Sequence, residues 1–320
     1  MRIVFLAVLA GFVGAQDAAA GQLWVSNEKD NTVSVVDTQA LTVVATYPVG
    51  LRPRGITFSH DFKELYLCAS DDDQIDVLDP ASGLTIRRLT SGEDPEQFAL
   101  HPNDTDLYIA NEDDALATVM NVKTGEVLAE INVGVEPEGM AVSPDGTIAV
   151  VTSETTNMVH WIDTAKKQIF ANTLVGQRPR HAEFSHDGKQ LWVSSEVGGQ
   201  VQVLDVATQS LIKELHFAIG GVSADLIQPV GIRLTADGSM AFVALGPANH
   251  VAVVDTKSFA IKRYILVGAR VWHLEFTDNE KMIFSVNGAS GDVTAIDVAR
   301  LEAVKSIKVG RYPWGAAYHP

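Results

Sequence analysis

Apolar and polar positions alternate in short runs along this chain, and the runs return in phase every 42 residues. A β-branched run closing on Asp or Asn ends at Asp37, Asp79, Asn121, Asp163, Asp205, Asp255 and Asp297; one step, between Asp205 and Asp255, stretches to 50 residues. A Gly-x-x-Pro turn keeps the same phase, from Gly50 through Gly92, Gly134 and Gly176 to Gly310. Each unit divides into four segments. In the first full one these are GITFS from Gly55, ELYLCAS from Glu64, QIDVLD from Gln74 and LTIRRLT from Leu84. Alternation of period two predicts strands, and Asp145-Gly146, Asp187-Gly188 and Asp237-Gly238 supply the positive φ that tight hairpins need. No stretch carries the 3.6-residue apolar stripe of a helix, so the fold expected is all-β. Four-stranded units of roughly 40 to 45 residues predict propeller blades, here a seven-bladed β-propeller.

The two ends of the repeat are complementary. The chain enters the pattern on a second strand, QLWVSN from Gln22, and leaves it just after a first strand, GAAYHP from Gly315. Together they complete one blade, so the ring is expected to close through strands from both termini, which removes exposed sheet edges.

Composition refines this. Residues 1–20 lie outside the repeat: Arg2, an apolar run from Ile3 to Val13, then Ala18, Ala19 and Ala20. That order predicts a secretory signal cut after Ala20, leaving residues 21–320 as a single domain, with the periplasm expected as destination and secretion second. No other apolar run reaches about 18 residues, so no membrane span is expected. Cys68 is the single cysteine and falls within a strand, where it reads as a small buried hydrophobe. Acids outnumber bases 40 to 24, giving a net charge of −16, which disfavours nucleic acid and favours a basic partner. A monomer is expected.

Topology sorts the loops onto two faces of the disc. The Gly-x-x-Pro turns and the acidic loops bearing Glu28, Glu112, Glu154 and Glu196 share what we call the upper face. The Asp-Gly turns, with His60, His101, His186 and His319, share the lower. The residue after each proline is expected to rim the channel mouth: Arg54, Glu96, Glu138, Arg180, Val230, Trp272 and Trp314. One reading pairs these Arg and Glu across blades. The other makes the mouth a binding site, with Arg forks for carboxylates and two exposed indoles for a planar body. The following position is Gly in four blades but Gln97, His181 and His273 in the other three. Two histidines fall short of a zinc ligand set, so no metal is expected and a hydrogen-bonded channel role is. The extra eight residues fall in AIGGVSADLI (218–227), placed to wall the aromatic half of the mouth.

Tyr66-Leu-Cys-Ala, Tyr108-Ile-Ala-Asn111, Trp24-Val-Ser-Asn27 and Trp192-Val-Ser-Ser195, with the Val-Gly-x-x-Pro turns, resemble the YVTN-type bacterial propellers. SNEKDNTVSVVDT, VGVEPEGMAVSPDG, PVGIRLTADG and VGRYPWG extend the likeness over residues 21–320 to the subgroup associated with pyrroloquinoline quinone (PQQ)-dependent catabolism. The resemblance implies a non-enzymatic periplasmic accessory or binding protein, with PQQ as a possible ligand and a quinoprotein dehydrogenase or its cytochrome as partner. It transfers no catalytic residues. The alternative, by fold analogy, is a lactonase-like hydrolase with His181, His273, Glu96 or Glu138 as acid and base at the channel.

Overall fold

The structure, a computed structural model, describes residues 21–320, so the expected signal segment lies outside the described residues. Seven four-stranded antiparallel sheets are arranged as blades around one axis. Blade 1 holds Gln22–Asn27, Thr32–Asp37 and Thr42–Pro48, with Pro313–His319 as its innermost strand. Ring closure by both termini is therefore as the sequence predicts, and Leu23 pairs with Tyr318 and Trp24 with Ala317. Blades 2 to 7 follow in order, with innermost strands Pro53–Phe58, Pro95–Leu100, Pro137–Val142, Pro179–Phe184, Ile232–Leu234 and Val271–Phe276. Two short 3₁₀ turns, Ser70–Asp72 and Ala224–Leu226, are the helical pieces among the described residues, and none is long or apolar enough to cross a membrane.

Alternation places one face of each sheet against the next blade, and a separate apolar cluster fills each of the seven interfaces. Trp24, Trp161, Trp192, Tyr66 and Tyr108 are the bulkiest buried members. Cys68 sits within this packing, where burial pushes its thiol well above the ordinary range. The insertion is tied down by Ile227, which joins the core between blades 5 and 6, with Ile219 and Val222 packed on it. Val230, expected at the rim, is instead buried.

The upper turns are held by a recurring bond. A side chain of the third strand, or its second-strand counterpart in blade 1, accepts the buried N–H of the turn glycine. Asp76 takes Gly50, His160 takes Gly134, Gln202 takes Gly176 and Asn27 takes Gly310. Different side chains perform one task, satisfying a donor that water cannot reach.

Candidate functional site

The first strand of most blades is interrupted by a bulge between its first residue, a proline except for Val271 in blade 7, and the residue two or three positions on. A bulge frees its residues from the ladder and re-aims their side chains, and here it holds Arg54, Glu96, Gln97, Glu138, Arg180, Trp272, His273 and Trp314. Backbones approach closely at this level. A Cβ on Gly139 would lie 2.7 Å from the Arg180 carbonyl, and one on Gly231 would lie 2.7 Å from that of Trp272. Glycine in one blade thus makes room for His181 or His273 in the next.

The upper end is plugged by charge. Arg54 Nη1 donates to Glu96 Oε2 at 2.5 Å, while Arg52 bonds Asp94 and lies 3.3 Å from Glu96 Oε1. Arg180 bonds Glu154 and lies 3.3 Å from Glu138 Oε2 and 3.1 Å from Glu196 Oε2. Arg178 Nε adds a contact to Glu154 at 2.7 Å, and Arg270 Nη2 donates to Glu196 Oε1 at 2.5 Å. The pairing reading thus describes these groups, while the expected open mouth with two exposed indoles is corrected. Trp314 is only 2 % exposed, its ring 4.3 Å from that of His273 and tilted 50° to it, 5.4 Å beneath the Arg54 guanidinium. Trp272 remains half-buried, with Arg270 4.0 Å over its ring. Glu154 and Glu196, from the acidic upper-face loops, are likewise buried against these guanidiniums.

Crowding of acids has a cost here. Burial, reinforced by Glu138, raises Glu96 well above the usual carboxylate range despite Arg54. Burial also pushes Glu138 up to about 7, with Arg180 opposing and Glu154 reinforcing. The Asp94, Glu96 and Glu112 carboxylates gather within 4.8 Å of one another, a spacing a cation would accept, but Arg52 already bonds Asp94 and Arg54 bonds Glu96.

Beneath the plug a cavity of about 380 Å³ opens between the lower-face turns carrying His60, Pro144 and His186. Gln97, His181, His273 and Trp314 line its closed end. The Gln97 amide lies 3.2 Å from His273 Nε2, and the two histidine rings meet edge to face at 5.6 Å. Burial, with the charges of His181, Arg233, Arg180 and Arg54, holds His273 well below the usual imidazole range, so it is neutral. Both His181 nitrogens and Trp314 Nε1 are buried and without a hydrogen bond among the described residues.

One more step along the strands lies an ion trio that reading by proline register misses. Arg233 Nη1 donates to Glu183 Oε2 at 3.0 Å, and its Nε and Nη2 donate to Glu275 Oε2 at 3.1 and 2.8 Å. Glu183 Oε2 also stands 3.7 Å from His181 Nε2. Burial opposes ionisation of Glu183, but Arg233 and His181 outweigh it and its carboxyl is held low; for Glu275 burial wins and the carboxyl is raised. The missed signal is His-x-Glu in blades 5 and 7 (His181 and Glu183, His273 and Glu275) beside an Arg in blade 6. Spacing of two puts both members on one side of the strand.

Several known proteins share this architecture. Hydrazine synthase of Kuenenia stuttgartiensis superposes with a TM-score of 0.80 at 18% identity, covering 91% of this chain and 99% of that one. The periplasmic gluconolactonase of Pseudomonas aeruginosa gives 0.77 at 18% identity, covering 94% and 99%. A dihydro-heme d1 dehydrogenase gives 0.69 at 14% identity, covering 95% and 76%. At these identities the likeness speaks for the fold. No curated protein matches the sequence. The choice-of-anchor I domain family matches residues 18–171. The family described as lactonase, 7-bladed beta-propeller, matches residues 140–301, half of the chain and the half that holds His181, Glu183, Arg233 and His273. The chain belongs to this seven-bladed lactonase family.

Proposed function

We propose that the protein hydrolyses lactones in the lower-facing cavity, with His181 as general base. The carrying observation is the pairing of His181 with Glu183 at 3.7 Å at the closed end of that cavity. A carboxylate beside one imidazole nitrogen fixes the ring and stabilises the imidazolium that forms when the other takes a proton. The 3.7 Å separation is looser than a hydrogen bond, as unliganded sites often are. Water held by His181 attacks the lactone carbonyl, and its proton passes to the ring. The carbon–oxygen ring bond then breaks, and the departing alkoxide takes the proton back. Neutral His273, oriented by the Gln97 amide, and the unpartnered Trp314 Nε1 supply donors for the oxyanion. The name of the gluconolactonase neighbour supports the same class of chemistry. Assay of a panel of lactones should find one that is turned over, with His181→Ala slowing it by about a hundredfold or more. Full activity in that variant removes His181 from the chemistry.

A second reading keeps a specific observation of its own. The half-buried Trp272 under Arg270 faces the upper side, beside the insertion, where Gln228 Oε1 accepts from Arg270 Nη1 at 3.0 Å. Such a stacked cation and indole would suit PQQ, or docking of a quinoprotein dehydrogenase or its cytochrome. On this reading the protein is a periplasmic accessory factor, exported by its first 20 residues. Calorimetric titration with PQQ, with and without Ca²⁺, should then give micromolar or tighter binding that is lost in Trp272→Ala. Absence of heat in both titrations excludes the quinone as ligand.

A further inference from the structure

The cavity has an unusual charge balance. Among the described residues, the charged groups lining it are Glu183 and Arg233, and no lysine or second arginine joins them. Arg233 is held from both sides, by Glu183 at 3.0 Å and by Glu275 at 2.8 Å, so with both carboxyls ionised the trio carries one net negative charge. Arg54 and Arg180 lie above the closed end and are already bonded to Glu96 and Glu154. Among the side chains that line the cavity, those left without hydrogen-bond partners are His181, at both nitrogens, and Trp314, at Nε1, next to the Gln97 amide. Burial keeps His273 neutral as well.

We propose that the Glu183–Arg233–Glu275 trio makes this an anion-rejecting site, which takes an uncharged, hydroxyl-bearing lactone, excludes phosphorylated or carboxylated ones, and expels the carboxylate it forms. The inference rests on the hydrolase reading and adds its substrate class. An anion entering the cavity would lose its hydration with no free cation to replace it, and a carboxylate already faces it. The hydrogen-bonding groups at the closed end suit hydroxyls instead. Hydrolysis adds water across the ester, forming a carbon–oxygen bond to the carbonyl and breaking the ring bond. The acid so formed gives up its proton to solvent. A neutral molecule enters and an anion must leave, so the fixed charge opposes product retention without opposing substrate. Glu275 acts through Arg233, as a specificity-determining residue.

The test is calorimetric binding of three ligands to the purified protein: an aldonolactam (an uncharged, non-hydrolysable mimic of the lactone), the matching aldonate and its 6-phosphate. The lactam should bind about tenfold or more tightly than either anion. Glu275→Gln should narrow that gap, and Glu275→Asp, which keeps the charge, should restore it. Aldonate or phosphate binding as tightly as the lactam overturns the proposal, as does a gap that Glu275→Gln leaves intact or an absence of binding by all three. Turnover measured alongside separates the two readings. Equal kcat/KM for a lactone and its 6-phosphate overturns anion rejection while leaving hydrolysis standing. A lactam preference without turnover supports anion rejection and ends the hydrolase reading.

Discussion

At the residue scale, the upper plug illustrates how a buried ion cluster can oppose the fold that contains it. Glu138 is held up to about 7 because desolvation and neighbouring acids outweigh Arg180. A carboxyl raised in the folded state binds its proton more tightly there than in the unfolded chain. Its ionisation therefore lowers stability as pH rises from about 4.5 towards 7, and the penalty is fully present above that. Glu138→Gln should remove this pH dependence. Relative to the parent, the variant should gain melting temperature at pH 8, by up to about 3 kcal/mol of stability, and little or nothing at pH 4.5. Arg180 keeps Glu154 and Glu196 in the variant, so no cation is stranded. A lower melting temperature at pH 8 would show that the Arg180 contact outweighs the desolvation.

At the element scale, the innermost strand of blade 1 carries ring closure. Pro313–His319 pairs along Gln22–Asn27 and buries Trp314, Ala316 and Ala317. Removing residues 315–320 takes away five of the seven residues of this inner strand and opens an edge in the blade. The expected loss is about 10 °C or more in melting temperature, larger than for trimming an exposed tail. A melt that coincides with the intact chain would show that the ring holds without its closing strand. The bulges belong to this scale too. They were not readable as such, yet the proline phase located their residues, because a proline that cannot donate to the ladder sits where pairing lapses.

At the scale of the whole molecule, the bulges and the plug turn an open channel into a cavity closed at its upper end. Period and phase alone determined the seven blades, the closure and the ring of positions that reaches the axis, since repetition of strand alternation leaves one economical way to bury each sheet's apolar face. They also brought His181, His273 and Gln97 to one level. Which end stays open, and which charges face the cavity, was decided only by tertiary structure. Glu154 and Glu196 stand on the acidic upper-face loops, yet they are buried against Arg178, Arg180 and Arg270. Glu183, Arg233 and Glu275 come from three blades and break no local rule in any of them; they become a site only when the ring brings both carboxylates to about 3 Å from the Arg233 guanidinium. Strand periodicity is a property of neighbours in sequence and is written there. Charge pairing between neighbouring blades depends on distances between residues 42 to 50 apart in the chain, which packing alone sets.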